Sequence, residues 1–366
     1  MAKNTSFATR HPYLIGLFKR IVTIIVTWNV LVACFIGTML FFGIVLVGAT
    51  VGSQAGNSDT VRTIYGNGSN GLLSIKISGM IMGSNDSGDV FSSLLGDSIT
   101  YGYDIKEQLR KAAEDSTVSG VILEIDSPGG TIYGSRAIAD GIAHYKNTAK
   151  KPVYAHIQGS GASGAYWAAA SADVIYADYG SIIGSIGVVM GPFQYYNTPL
   201  AEDGGLLGGG VVTQNGIESV TITAGTSKDL GNPYRRLTES EVQLLQQSIN
   251  NEYDEFVRYI STQRDIPENE VRDNIGALIY DPKLALKRKL INAIGSRDDA
   301  YQALAKAAEI ADDFQVIREE SPANSLQTLL GAFTPAKQPQ TTTPSLCNLS
   351  RSVLAYHGDV TRFCKE

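Results

Sequence analysis

The chain has 366 residues, enough for one large domain or two ordinary ones. Charged residues make up 18% and the formal net charge is −6, so there is no basic field to draw a nucleic acid. The three cysteines, Cys34, Cys347 and Cys364, contain no C-x-x-C pair and fit neither a disulfide framework nor a zinc site.

In chain order, the first feature is a run without charge from Ile21 to Val51. About 20 apolar residues cross a bilayer core as a helix, whereas a cleaved secretory leader has an apolar stretch of only about 7–15. The run therefore predicts a retained transmembrane anchor over 21–51. Lys3, Arg10, Lys19 and Arg20 precede it, and the first charges after it are Asp59 and Arg62. Positive charge stays inside, so the expectation is a cytoplasmic segment 1–20 and an extracytoplasmic chain beyond, held at the cell membrane. Residues 52–71, rich in Gly, Ser and Asn, read as a linker.

The next elements alternate. "LLSIKISGMIM" (72–82) patterns as a strand, "DIKEQLRKAAEDS" (104–116) as a helix, and "SGVILEID" (119–126) as a buried strand that ends in "SPGG". "SRAIADGIAHYKN" (135–147) follows as a helix, then the strand "KPVYAHIQ", then the turn and helix of "GSGASGAYWAAAS". "DVIYAD" (173–178) and "GSIIGSIGVVM" (180–190) add short strands. Strand and helix alternating at these intervals predict a mainly parallel α/β sheet, whose chemistry gathers at the carboxyl ends of the strands. Both Gly-rich turns, "SPGG" and "GSGASG", fall there.

Beyond residue 191 the pattern loosens. Residues 199–216 are Gly-rich and read as a flexible excursion, and "ESVTITAG" (218–225) alternates as a strand before the loop "TSKDLGNPYRR". Thr238 and Glu241 form a capping-box pattern at the head of a long helix over 238–264. After about Phe314 the composition turns to "TPAKQPQTTTPS", which predicts a disordered tail over 314–366. An extracytoplasmic location would permit, without requiring, a disulfide between Cys347 and Cys364.

Ser163, in the turn after "KPVYAHIQ", has two readings: a helix cap, or a nucleophile beside the unpaired amides of a helix start. A nucleophilic serine needs a base. No histidine lies between His156 and His357; His156 falls within a strand and His357 in the tail, which argues against a Ser-His pair. A lysine can serve if its surroundings lower its pKa. Most lysines after Ser163 lie on charged helical faces or in the tail, whereas Lys228 follows the strand-like "ESVTITAG" in a loop.

"ILEIDSPGG", "GSGASGAYWAAASADVIYAD", "GSIIGSIGVVM", "AGTSKDLGNPYRRLTESE" and "IYDPKLALKRKLINAIGSRDDA" occur in that order. Together they resemble the signal peptide peptidase A family of Ser-Lys serine peptidases. The resemblance spans roughly residues 72–312, and "ASGAYW", "GSIGVV" and "GTSKDLG" are its specific parts. It implies a Clp/crotonase-like fold of repeated ββα units with a mainly parallel sheet, in a peptidase domain over 72–313. It implies Ser163 as nucleophile, Lys228 as general base, Ser185 orienting the lysine, and the amides of Gly130 and Gly164 as oxyanion hole.

No metal or cofactor is called for. The implied activity is cleavage of apolar peptides, such as released signal peptides, by a membrane-anchored homo-oligomer, a ring or octamer. Alternatives on the same frame are a peptidase for one particular membrane protein and a non-catalytic scaffold; acyl-CoA chemistry conflicts with the outward topology. Two departures from the family pattern stand out. The segment 199–216 is longer than usual, and "KLINAIG" lacks a glycine before the corresponding leucine.

Overall fold

The computed structural model describes residues 60–84, 99–202 and 211–320, the backbone of 354–356, and scattered positions between 23 and 39. The chain divides into two units, Met1–Asp59 and Thr60–Glu366. In the first, the described positions are helical, with Val26, Trp28, Phe35 and Met39 exposed. Thr27 and Thr38 return their hydroxyls to the carbonyls of Thr23 and Cys34. Among the described residues no helix is long and apolar enough to cross a membrane. The expected anchor 21–51 lies largely outside them, as do Cys347 and Cys364.

The second unit is built on an 11-stranded sheet. Its central strands are β2 (Asn70–Met82), β4 (Val118–Thr131), β5 (Val153–Ala162) and β6 (Val174–Ala177), all parallel. Helix α1 (Gly102–Glu114) connects β2 to β4, after the short β3 (Ile99–Tyr101). Helix α2 (Ile132–Ala149) connects β4 to β5, and α3 (Gly164–Ala170) connects β5 to β6. This is the strand–helix alternation around a mainly parallel sheet that was read from the sequence. Val121, Ile122, Leu123 and Ile125 of β4 are wholly buried, because a central parallel strand is covered on both faces.

Two cores result. One lies under the helices and includes Ile77, Ile125, Ile142, Tyr166 and Trp167. The other, on the opposite face, joins Leu72, Ile122 and Val316 to Tyr301 and Leu304 of α6 (Arg297–Ala307). Trp167 stacks on Phe256 (4.4 Å between ring centroids) and Tyr259 (5.3 Å), which pins α3 to α4 (Glu239–Arg264). The Thr238–Glu241 capping box opens α4 as expected.

A buried carboxylate anchors the second core. Glu124 accepts hydrogen bonds from the hydroxyls of Ser74 (2.7 Å) and Tyr301 and pairs with Arg318 (2.7 Å). Burial pushes its pKa up, but the Tyr301 and Ser74 bonds and the Arg318 charge outweigh it, so the group sits below the usual carboxylate range. His156 is buried in β5 with its Nε2 3.3 Å from the Gly295 carbonyl oxygen, and burial lowers its pKa. It is a core histidine.

The structure departs from the sequence reading at three places. Thr60–Gly66 (β1), within the expected linker 52–71, is a strand antiparallel to β12 (Phe314–Glu320). Strand β12 lies in turn within the expected tail and pairs parallel with β2. Both segments are short and mixed in polarity, because each lies near the sheet's edge, where one face need not be apolar. The sheet thus takes in residues on both sides of the expected 72–313. Third, 218–225 is not a strand: Val220 is 76% exposed and Ile222 95%, and no described strand lies beside it. Alternating β-branched residues favour an extended chain but cannot make a sheet without a partner.

Candidate active site

The carboxyl ends of β4 and β5 diverge. They pair in register from Val121↔Val153 to Ile125↔Ile157, skip, and meet for the last time at Ser127↔Gly161. Strand β5 then turns to β7 (Ile182–Gly184), pairing Ser160↔Ile182 through Ala162↔Gly184. The split opens an edge of β4 at Gly129–Thr131, and Ser163 follows β5 directly. Asp126 braces the opening by accepting from the Ser160 amide at 3.0 Å, and Ser127 Oγ accepts from the Gly129 amide at 3.1 Å. Ser181 Oγ does the same for the Gly159 amide at 3.2 Å while donating to the Ile157 carbonyl at 3.1 Å.

Ser163 is the N-cap residue of α3, yet its side chain makes no capping hydrogen bond. Its backbone stands at φ 55° and ψ −122°, outside the regions an L-residue favours. A strained non-glycine costs about 1–3 kcal/mol and persists only where its surroundings hold it. The restraints are visible: the Ser163 amide donates to the Gly184 carbonyl (2.8 Å), and its own carbonyl accepts from the Trp167 amide (2.9 Å). The residue is wholly buried, with Oγ 3.4 Å from the Gly187 carbonyl oxygen. The helix-cap reading of Ser163 therefore fails, and a hydroxyl presented on a strained strand-to-helix turn remains.

Ser185 lies just past β7, at φ 53° and 6% exposed, and its amide donates to the Leu278 carbonyl at 2.7 Å. The β5–β7 pairing thus brings Ser163, Gly164 and Ser185 to one end of the sheet. Gly130 stands beside them on β4, against which α3 packs. It pairs with Ile81 of β2, and a β-carbon at Gly130 would overlap the Ile81 carbonyl oxygen. Only glycine permits that approach.

Lys228 lies in the loop before α4. Its side chain is exposed, and among the described residues no hydrogen bond joins it to Ser163. The loop that carries it is nevertheless built firmly. Arg235 donates from Nε and Nη2 to Asp229 (2.9 and 2.8 Å) and from Nη1 and Nη2 to Glu241 (2.9 and 2.7 Å). Glu241, 3% exposed, also accepts from the Thr238 amide (2.8 Å). The Arg235 bonds first, then the Thr238 amide and the Ser227 hydroxyl, hold its carboxyl well below the usual range. Ser227 and Asp229 flank Lys228, so this clamp grips the lysine loop on both sides. The sequence reading used Glu241 only as a helix cap and passed over Asp229 and Arg235. The density of opposite charges in "SKDLGNPYRRLTESE" was the available signal.

Comparison with known proteins bears on this site. Residues 145–311, which include Ser163, Ser185 and Lys228, match the model of Peptidase family S49. Among curated relatives, a candidate protease of Methanocaldococcus jannaschii is 35% identical over 199 residues, 54% of this chain and 59% of that one. A candidate signal peptide peptidase of Enterococcus faecium is 32% identical over 205 residues, 56% of each. Protease 4 of Haemophilus influenzae is 29% identical over 58% of this chain and 32% of its own. The matches thus span less than two thirds of these relatives. Among solved structures, a mutant of a membrane-bound stomatin-specific protease aligns over 65% of this chain and 86% of its own. Identity there is 15% and the TM-score 0.37, a likeness too low to carry an argument.

Proposed function

We propose that the S49 chain is a membrane-anchored serine endopeptidase that cleaves apolar peptides, such as released signal peptides, with a Ser163–Lys228 dyad. The observation that carries this reading is Ser163 itself: buried, strained, without a side-chain capping bond, and set beside the Gly129–Thr131 end of β4, from which β5 has turned away. In the proposed reaction an extended substrate lies along β4. Ser163 Oγ attacks its carbonyl carbon, the oxyanion is met by the amides of Gly130 and Gly164, and Lys228 takes the proton and passes it to the leaving amine. Water then hydrolyses the acyl-enzyme. Ser185 orients the lysine.

Lys228 is exposed within one copy, and Val220 and Ile222 of the segment before it are uncovered. Both features support a homo-oligomer in which one copy's lysine loop completes the neighbour's serine site. Two inactive variants test this, Ser163→Ala and Lys228→Ala. Each alone loses turnover of a fluorogenic peptide with small residues before the scissile bond. Reassembled together as a ring, about a quarter of the sites regain both groups if the dyad forms between copies, and none if it forms within one. Retained activity in Lys228→Ala removes the lysine from the mechanism, and an inactive parent oligomer removes the peptidase.

A further inference from the structure

The segment that faces Ser163 is held from behind. After β7 the chain passes through Ser185 to Gly187, and two successive amides there bond to one other stretch. The Ser185 amide donates to the Leu278 carbonyl (2.7 Å) and the Ile186 amide to the Gly276 carbonyl (3.2 Å). Strand β10 (Ile279–Tyr280) pairs antiparallel with β7, Ile279 with Gly184 and Tyr280 with Ile183. The fit is close. A β-carbon at Gly184 would stand 2.7 Å from the Leu278 carbonyl oxygen and 3.2 Å from the Tyr280 ring, and one at Gly187 2.8 Å from the Ala277 β-carbon. In front, the Gly184 carbonyl accepts from the Ser163 amide (2.8 Å), and the Gly187 carbonyl oxygen lies 3.4 Å from Ser163 Oγ.

The stretch 276–280 leaves a π-helical turn (Glu270–Ile275), a rare geometry met most often at functional sites. The turn closes with the Gly276 amide on the Val271 carbonyl (2.7 Å), and Gly276 stands at φ 54°. A helical end leaves its last carbonyls without backbone partners. Here the Tyr280 hydroxyl meets them, donating to the Ile275 carbonyl at 2.7 Å with the Asn274 carbonyl at 3.3 Å. The Tyr280 ring also carries the Arg288 guanidinium, 4.9 Å from its centroid. Arg288 in turn pairs with Glu270 at the head of the turn (3.5 Å). One buried side chain thus ties both ends of the π-turn to the segment that faces Ser163.

We propose that Tyr280 is a positioning residue for peptide hydrolysis, an inference that rests on the reading of Ser163 as the nucleophile. Its hydroxyl closes the π-turn, the closed turn fixes the Gly276 and Leu278 carbonyls, and these fix the Ser185 and Ile186 amides. The Gly184 and Gly187 carbonyls then keep their places about Ser163. Without the hydroxyl the Ile275 carbonyl is buried with no side-chain donor, and the turn must shift to find another. The shift passes along the main-chain bonds to the Ser163 turn.

The test uses the full chain in detergent and compares the parent with Tyr280→Phe, Arg288→Ala and Tyr301→Phe. Tyr280→Phe keeps the ring and removes only the hydroxyl. Arg288→Ala loosens the same turn from a half-buried position. Tyr301→Phe is the control, since its hydroxyl serves Glu124 in the other core. The rate at which a fluorophosphonate labels Ser163 is measured with kcat and KM on the fluorogenic peptide, well below each thermal midpoint. A displacement of about 1 Å costs roughly 10²-fold in rate and one lost hydroxyl moves the turn by less, so the expected fall in labelling rate and kcat is about tenfold in Tyr280→Phe, with KM little changed. Arg288→Ala is expected to shift both in the same direction by less, and Tyr301→Phe to keep them. Parental labelling and kcat in Tyr280→Phe, or in Arg288→Ala where the phenylalanine variant does not fold, overturns the inference and leaves the peptidase reading intact. An equal loss in Tyr280→Phe and Tyr301→Phe reduces Tyr280 to a stability role and overturns it too. A parent that neither labels at Ser163 nor turns over peptide overturns both.

Discussion

Replacing Gly130 by alanine separates chemistry from folding at this site. The added β-carbon would overlap the Ile81 carbonyl oxygen and stand 2.7 Å from the Ile81 carbonyl carbon and amide nitrogen, all backbone atoms of β2. Carbon contacts settle at about 3.5–4.0 Å, so β2 and β4 must part locally by about 1 Å. The Gly130 amide moves with β4. A misplacement of about 1 Å costs roughly 10²-fold in rate, and loss of one oxyanion donor about 10²–10³-fold. The expected outcome is a kcat lower by about 10²–10³-fold with KM little changed, since the donor acts on charge that develops only in the transition state.

Gly120→Ala is the control. It lies in the same strand, but its β-carbon would meet side-chain methyls of Leu304 and Leu72 at 3.2 Å, with the Pro152 carbonyl oxygen at 3.3 Å, remote from the turn. Peptide turnover and thermal midpoints are measured for both variants. A folded Gly130→Ala that keeps parental kcat refutes the oxyanion role. A loss no greater than that of Gly120→Ala at equal stability refutes it too.

Other outcomes follow from the same geometry. Ser163→Gly is expected to melt higher than Ser163→Ala, by about 1 kcal/mol in stability, because glycine accepts φ 55° without strain; equal midpoints would remove the strain. Arg235→Ala is expected to lower kcat, with partial recovery in Arg235→Lys, since the clamp holds the lysine loop. A drop in stability with an unchanged kcat would reduce it to a structural pair. Glu124 has a folded pKa below its unfolded value, so its contribution is present above about pH 4.3 and fades as pH falls through the folded value. Glu124→Gln should therefore flatten the acid limb of stability against pH in denaturant melts, and an unchanged limb would contradict the assignment. His156 also has a lowered folded pKa, so the unfolded chain takes up the proton first and stability declines as pH drops below about 6.5. His156→Gln should remove that part of the slope, and a slope equal to the parent's would count against a buried neutral imidazole.

The sequence by itself determined the alternation of buried strands and helices, since "GVILEI" can only be a strand covered on both faces and "TESEVQLLQQ" carries its own cap. It also located the Ser163 turn, because a cluster of glycines after a strand signals a tight approach whatever the fold. Whether Ser163 caps its helix was decided only in three dimensions. A capping serine is ordinary at such a turn, and the cap reading fails on a backbone angle held by Gly184 and Trp167 and on an unmade side-chain hydrogen bond. The strands β1 and β12 became legible only once paired, each short segment taking its conformation from a neighbour about 250 residues away. Likewise 218–225 has the alternation of a strand and no partner within the described residues to make it one. The pairing of Leu354–Tyr356 with β4 beside Gly130 has the same origin: main-chain pairing depends on an open edge, and sequence composition does not record which edges the fold leaves open.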